Sequence, residues 1–465
     1  MDVKVTQLNK ARWWEIGGFS FNNASTNAVW ALITTYYLVY TTEIYGFPAV
    51  LVGAIMMGTR IFDAFTDPII GVLIDRTHSR FGRFRPWILG GAILSSLMIV
   101  LMFSGIRTGS YLGDLILALG LYSIWVLGYT AQTACTKSAQ NIISSVPKQR
   151  SIINALGSLN TVLVQLAALV IVLPVVKAMG GTKTPLAWAT AGSIFGGIQL
   201  LYAVFSVLGL MKKDVPEHLQ KVESKGFPKF ADYVAIFRSN KALQMLIVAA
   251  SSNKITQSMQ SGLIVLLFYY VARNPDLQGI VTSITVGLGV IAMLLMIKPI
   301  ERFGRKEVFT LSSWGGFLYG IAAIFLVALA PQNPVWLIIV ASVNMILIAG
   351  TGEINIISMV GDAADYEHYI SGRFIPGMIG ASFSLIDKLI SSFGSLIIGA
   401  ILSAIGFVSV SETAPSDILF WGVLIMYFGF PALGHLCSIL AMKYYPLDKK
   451  THWEMLEALA RDEKL

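Results

Sequence analysis

The densest run of reactive side chains in the sequence is Arg60-Ile61-Phe62-Asp63-Ala64-Phe65-Thr66-Asp67-Pro68, set in an otherwise apolar stretch. Asp63 and Asp67 are four residues apart, so on a helix they share one face, with Arg60 one turn before Asp63. Two carboxylates and the Thr66 hydroxyl on one stripe form an oxygen-rich site for a hard cation such as Na+, and adjacent anions are stabilised by a cation or a shared proton. The same residues could instead make an ion-pair network that locks helices together.

Other polar groups lie in apolar surroundings. Lys388 follows Asp387 near the C-terminal end, and neighbours on a helix point about 100° apart, too far to pair well. An ammonium there would bridge to the Asp63 and Asp67 carboxylates and compete with a bound cation. Lys254 sits beside Asn253, Glu353 opens the inner part of an apolar run, and Lys137 closes another, either entering a pocket or snorkelling to the interface. Asn22, Asn23, Ser25, Thr26 and Asn27 cluster early; such groups could bind a polyhydroxylated ligand or glue helices together. Trp30, Tyr36 and Tyr37 offer aromatic faces on which sugar rings stack, though most aromatics in such runs serve packing or the interfacial belt.

The elements that position these groups follow from composition. Of 465 residues, 55% are hydrophobic and 13% charged, against about a quarter charged in soluble domains. We read twelve membrane spans, at 19–42, 48–74, 87–106, 112–136, 151–176, 187–211, 243–271, 278–297, 308–330, 334–360, 379–405 and 417–442. Val308 to Gly352 contains no charged residue, and Pro331-Gln332-Asn333-Pro334 within it reads as a tight turn between two helices. With the N-terminus inside, 26 basic residues fall in the tails and inward connections and 4 in the outward ones, which places both termini in the cytoplasm of a multi-pass plasma (inner) membrane protein. Its surroundings are the lipid bilayer, and the net charge of +8 needs no nucleic acid to explain it. No cleavable signal is read ahead of the first span. Cys135 and Cys437 lie in apolar runs and report nothing on redox compartment.

The chain reads as two halves: a six-helix bundle over 1–211, a polar cytoplasmic linker over 212–241, a second bundle over 242–443 and a tail over 444–465. Arg80-Phe81-Gly82-Arg83 follows span two, and Arg302-Phe303-Gly304-Arg305 follows span eight, 222 residues later. A repeat at matching positions is what alternating access requires, because rocking two similar bundles exposes a midplane pocket to each side in turn.

Enzyme signatures are missing. Gly287-Leu288-Gly289-Val290-Ile291-Ala292 matches a dinucleotide fingerprint in letters only, since it lies inside an apolar span and reads as helix packing. There is no phosphate-binding loop, and the histidines are scattered without metal-ligand spacing. No cofactor is expected.

Asp63-Ala64-Phe65-Thr66-Asp67-Pro68, Ser79-Arg80-Phe81-Gly82-Arg83-Phe84-Arg85-Pro86-Trp87 and Asp362-Ala363-Ala364-Asp365-Tyr366 together resemble the glycoside-pentoside-hexuronide:cation symporters of the major facilitator superfamily, over essentially the whole chain. The resemblance implies an all-α membrane protein of twelve helices in two six-helix bundles. It implies a cation site at Asp63 and Asp67, with Thr66 and with Thr130 completing it, and coupling through Lys388 and Arg60. Asp362 and Asp365 match acids at the cytoplasmic end of helix ten, which implies gate-type ion pairs with basic loops such as those of Arg80 and Arg83.

The substrate positions depart from the melibiose-permease pattern. Asn27 or Asn23 stands for a helix-one aspartate, Thr133 for a helix-four aspartate, Lys137 for a tryptophan, Ser158 for an arginine and Glu353 for a tryptophan. Those positions, with Lys254, are the expected substrate contacts. The expectation is a symporter of a small-molecule substrate, a sugar or glycoside, driven by Na+, Li+ or H+. The alternatives are a carrier of an anionic sugar (uronide) or of a lysolipid, and a non-transporting membrane sensor.

Overall fold

The computed structural model describes residues 10–77, 79–144, 147–215, 237–372 and 376–462. Most of the expected linker lies outside the described residues, as do the side chains of Lys137 and Glu353. Among the described residues the chain is helical throughout, with no strand.

Contacts divide it into two compact units, Met1–Ser224 with Val408–Thr413 and Lys225–Phe407 with Ala414–Leu465. The helices of the first are α1 (Trp13–Ile44), α2 (Ala49–Asp75), α3 (Arg85–Met102), α4 (Tyr111–Ser138), the short α5 (Gln140–Ile143), α6 (Pro147–Ala178) and α7 (Pro185–Leu210). Those of the second are α8 (Lys241–Leu266, continued by a π turn to Val271), α9 (Leu277–Leu295), α10 (Ile297–Phe303), α11 (Arg305–Leu329), α12 (Pro334–Ile348), α13 (Glu353–Ser371), α14 (Pro376–Ser391), α15 (Phe393–Ala404), α16 (Asp417–Leu424), α17 (Phe430–Tyr444) and α18 (Lys449–Asp462).

Ten helical segments among the described residues are long and apolar enough to cross a membrane. The first long helix of each unit, α1 and α8, is long enough but too polar to count with them: α1 carries Asn22, Asn23, Ser25, Thr26 and Asn27, and α8 carries Ser251, Ser252, Asn253 and Lys254. The turn at 331–334 forms as expected, with the Asn333 side chain accepting from Trp336 N–H at 3.2 Å and Pro334 opening α12. Gly287–Ala292 lies within α9, where a Cβ on Gly289 would touch Met345 of α12.

Lipid is as apolar as a leucine side chain, so helices in a membrane associate by close packing and polar links rather than by burial. Leu311, Phe325 and Leu329 remain exposed on the outside of their unit. In the first unit α3 and α4 meet backbone to backbone: a Cβ on Gly91 would stand 2.7 Å from the Gly128 carbonyl, and one on Gly128 2.8 Å from that of Gly91. Polar links knit the same unit. Gln132 of α4 donates to Ser25 of α1 at 2.7 Å, Gln199 of α7 donates to Gln132 at 3.1 Å, and Ser96 of α3 donates to Gln199 at 2.8 Å. Asn22 joins this network by donating to Thr136 at 2.7 Å, so Asn22 and Ser25 act between helices.

The repeated tetrapeptides share a backbone requirement. Gly82 and Gly304 adopt φ of +92° and +108°, a region that L side chains rarely enter. At Gly82 a side chain would also overlap Asp214, whose buried carboxylate accepts the N–H groups of Arg83, Phe84 and Arg85 at 2.8, 2.8 and 2.9 Å and so caps α3.

Candidate cation and substrate site

Asp63 is 2% exposed, inside the first unit, with a different partner at each carboxylate oxygen. Thr130 donates to Oδ1 at 2.6 Å, and Arg60 Nη1 stands 3.4 Å from Oδ2. Asp67, one turn on, is half-buried, and Arg60, Asp63 and Asp67 all lie within electrostatic reach of Tyr129. Thr66 does not turn to the carboxylate; its hydroxyl donates to the Asp63 backbone carbonyl at 3.1 Å, as hydroxyls within helices commonly do. A cavity of about 10 Å³ lies beside Asp63, lined among others by Trp30, Thr59, Arg60 and Trp125, with room for one water-sized body and not for a sugar ring. The Trp125 indole N–H, fully buried on its wall, has no hydrogen-bond partner.

The expected substrate positions are distributed as follows. Asn27 donates to the Asn23 carbonyl at 2.8 Å and accepts from Gln165 at 3.3 Å, so both amides stand together on α1. Thr133 returns its hydroxyl to the Tyr129 carbonyl at 3.0 Å. In the second unit Lys254 pairs with Asp387 at 2.7 Å, and Ser251 donates to the other oxygen of that acid at 3.1 Å. Asp387 is 2% exposed. Its ammonium partner therefore comes from α8, and the next residue on α14, Lys388, leaves the helix about 100° round from it.

Asp362 of the expected gate pairs with Arg305 of the second tetrapeptide and lies 3.2 Å from His452 of the tail helix α18. Asp362, Asp365 and His452 bring their ligand atoms within 4.8 Å of one another, but the Arg305 guanidinium already answers the Asp362 charge. Burial first, then the Asp362 charge, push the neighbouring Tyr445 phenol above its ordinary range. Arg80 lies over the Phe81 ring at 4.8 Å, and Arg83 is buried with its backbone N–H on Asp214. Sequence reasoning missed Asp214 and His452: each acts on residues far away in the chain, and neither belongs to a motif.

Charged and aromatic side chains held inside bundles of apolar helices mark a candidate ion or substrate pathway. A family described as MFS/sugar transport protein matches residues 18–449. The chain is similar to the inner membrane symporter YicJ of Escherichia coli (strain K12), 24% identical over 96% of this chain and 95% of that one. It is also similar to the isoprimeverose transporter of Lactiplantibacillus pentosus, 25% identical over 96% of this chain and 91% of that one. The solved nucleoside transporter NupG shares the fold, with a TM-score of 0.62 and 13% identity over 94% of this chain and all of that one. The chain is thus a multi-pass membrane transporter of the major facilitator fold, and it belongs to the MFS/sugar transport protein family.

Proposed function

We propose that this transporter is a secondary symporter that couples a sugar or glycoside to Na+, Li+ or H+ by alternating access of its two halves. Asp63 takes the ion, with Asp67 and Thr130 beside it. The observation that carries the reading is the state of Asp63: a carboxylate out of water, bonded at one oxygen by Thr130 and approached at the other by Arg60 only at 3.4 Å. A buried carboxylate that its arginine approaches only at 3.4 Å supports competition by a small cation or proton. Bound ion offsets the negative charge and favours the sugar-binding conformation, and linkage requires the sugar to tighten ion binding by the same factor.

Asn23, Asn27 and Thr133 supply uncharged donors and acceptors for hydroxyl groups, with Lys137 and Glu353 proposed beside them. Lys254 is neutralised by Asp387 within its own unit, which supports a neutral sugar over a uronide. Lys388 is proposed to work between ion and substrate, and Arg80, Arg83, Asp362 and Asp365 at the cytoplasmic gate. The YicJ likeness and the basic inward connections support an inner-membrane location with both termini cytoplasmic.

The test is Asp63→Asn in proteoliposomes. It is expected to abolish ion-driven accumulation while leaving downhill sugar exchange measurable; unchanged uphill uptake would refute the ion site. Thermal stabilisation of the purified protein by a panel of glycosides and pentosides, with and without Na+, identifies the substrate.

A further inference from the structure

We infer that Trp30 is a positioning residue for Arg60: its indole face holds the guanidinium off Asp63 and so sets how strongly that arginine competes with the coupling ion. The inference rests on the reading of Asp63 as the ion ligand.

Arg60 Cζ lies 4.3 Å from the centre of the Trp30 ring, within the range where a cation is drawn to an aromatic face. Trp30 is itself clamped. It stacks on Trp125 at 6.1 Å and on Tyr129 at 5.3 Å, and those two rings stack on each other at 5.1 Å. Tyr129 stands within electrostatic reach of the same guanidinium. Arg60 thus lies between an aromatic wall and a carboxylate.

The carboxylate has the weakest hold. Charge-assisted pairs settle at about 2.7–2.9 Å, and Lys254–Asp387 and Arg107–Asp114 in this protein both reach 2.7 Å. The Arg60–Asp63 contact is 3.4 Å although the two residues lie one turn apart on α2, well placed to close. The aromatic wall, contributed by α1 and α4, accounts for the difference.

Opposite effects follow for the two partners. With Trp30 replaced by an aliphatic residue, the guanidinium closes on Asp63 and the ion must displace a tighter pair. With Arg60 neutralised, the guanidinium no longer competes for Asp63, and ion affinity rises. Once Arg60 is gone, Trp30 has nothing to hold.

The experiment titrates thermal stability of the purified protein with NaCl or LiCl against choline chloride at fixed pH, and with pH in choline. Trp30→Leu is expected to weaken the apparent ion affinity by about tenfold and Trp30→Phe by less. Arg60→Gln is expected to strengthen it, and Trp30→Leu added to Arg60→Gln to change it by less than about twofold. Equal effects of Trp30→Leu in both backgrounds, or none with Arg60 present, overturn the inference. Should Arg60→Gln not fold, Arg60→Lys replaces it; an ammonium stacks less well, so the Trp30→Leu effect must shrink. Ion-dependent stabilisation that survives in Asp63→Asn is a separate result, which refutes the ion site and not the Trp30–Arg60 contact.

Discussion

The Thr130 hydroxyl donates to Asp63 Oδ1 at 2.6 Å from a position 67 residues away in sequence, whereas Thr66, three residues from the acid on its own helix, donates to the Asp63 backbone. The threonine nearest in sequence is not the one whose hydroxyl reaches the carboxylate. Thr130→Val keeps the shape and removes a hydrogen bond to a charged group, a loss of about 1.5–3 kcal/mol in a buried site. With Asp63 as the proposed ion ligand, Na+ is then expected to bind more weakly, measured as uptake against sodium concentration at fixed pH.

Asp214 receives three backbone N–H groups at the start of α3 and lies 3.8 Å from the Arg85 guanidinium, fully buried. Asp214→Ala strands those donors and is expected to cost about 3–5 kcal/mol. Thermal unfolding in detergent should show a large drop. Asp214→Asn, which still accepts hydrogen bonds, should recover part of it.

Lys254 and Asp387 form a charge pair with the acid buried and the ammonium partly exposed. Lys254→Met alone takes the ammonium from a buried carboxylate and should destabilise by about 1–3 kcal/mol, less than for a fully buried pair, while Lys254→Met with Asp387→Leu should restore most of the loss. If transport also returns in the double variant, the pair holds the bundle and the substrate does not contact Lys254. If stability returns without transport, the ammonium touches the substrate.

Asp448 accepts the Thr451 N–H at 2.8 Å ahead of α18, and that bond holds its carboxyl below the usual carboxylate range. A carboxyl lowered in the folded state stabilises the helix above its unfolded value, and the contribution is lost as pH falls through the folded one. Hydrogen exchange of the α18 amides should therefore accelerate as pH drops from about 6 to about 3, after correction for intrinsic rates. Asp448→Ala should show the acid-like protection already at neutral pH, a loss of about 1 kcal/mol.

Local chemistry made part of this legible in the sequence. The Pro331–Pro334 turn, the two glycines of the repeated tetrapeptide, and the acid at position 63 all announce themselves through residue type and spacing. What could not be read is pairing across helices. Asp387 stands beside Lys388 in sequence, yet its partner is Lys254, 133 residues earlier. Nothing in a one-dimensional pattern says which face of α8 meets which face of α14. Likewise Trp30 reads as one more aromatic in an apolar run, and only the packing of α1 on α2 and α4 sets it over Arg60. Asn22 and Ser25 look no different from Asn23 and Asn27 in sequence, but two of the four are tied into the Gln132–Gln199 network.

The glycine contact between α3 and α4 reaches further than packing. At Gly91 and Gly128 backbone atoms and the Cβ atoms of Ala131 and Ser95 come closest, none of which a rotamer can move aside, and Thr130 sits two residues from that junction. The Thr130 hydroxyl that donates to Asp63 is thereby carried on a close-packed pair of helices. With Asp63 as the proposed ion ligand, a methyl group added at position 91 is expected to change ion selectivity from a place that the ion does not touch.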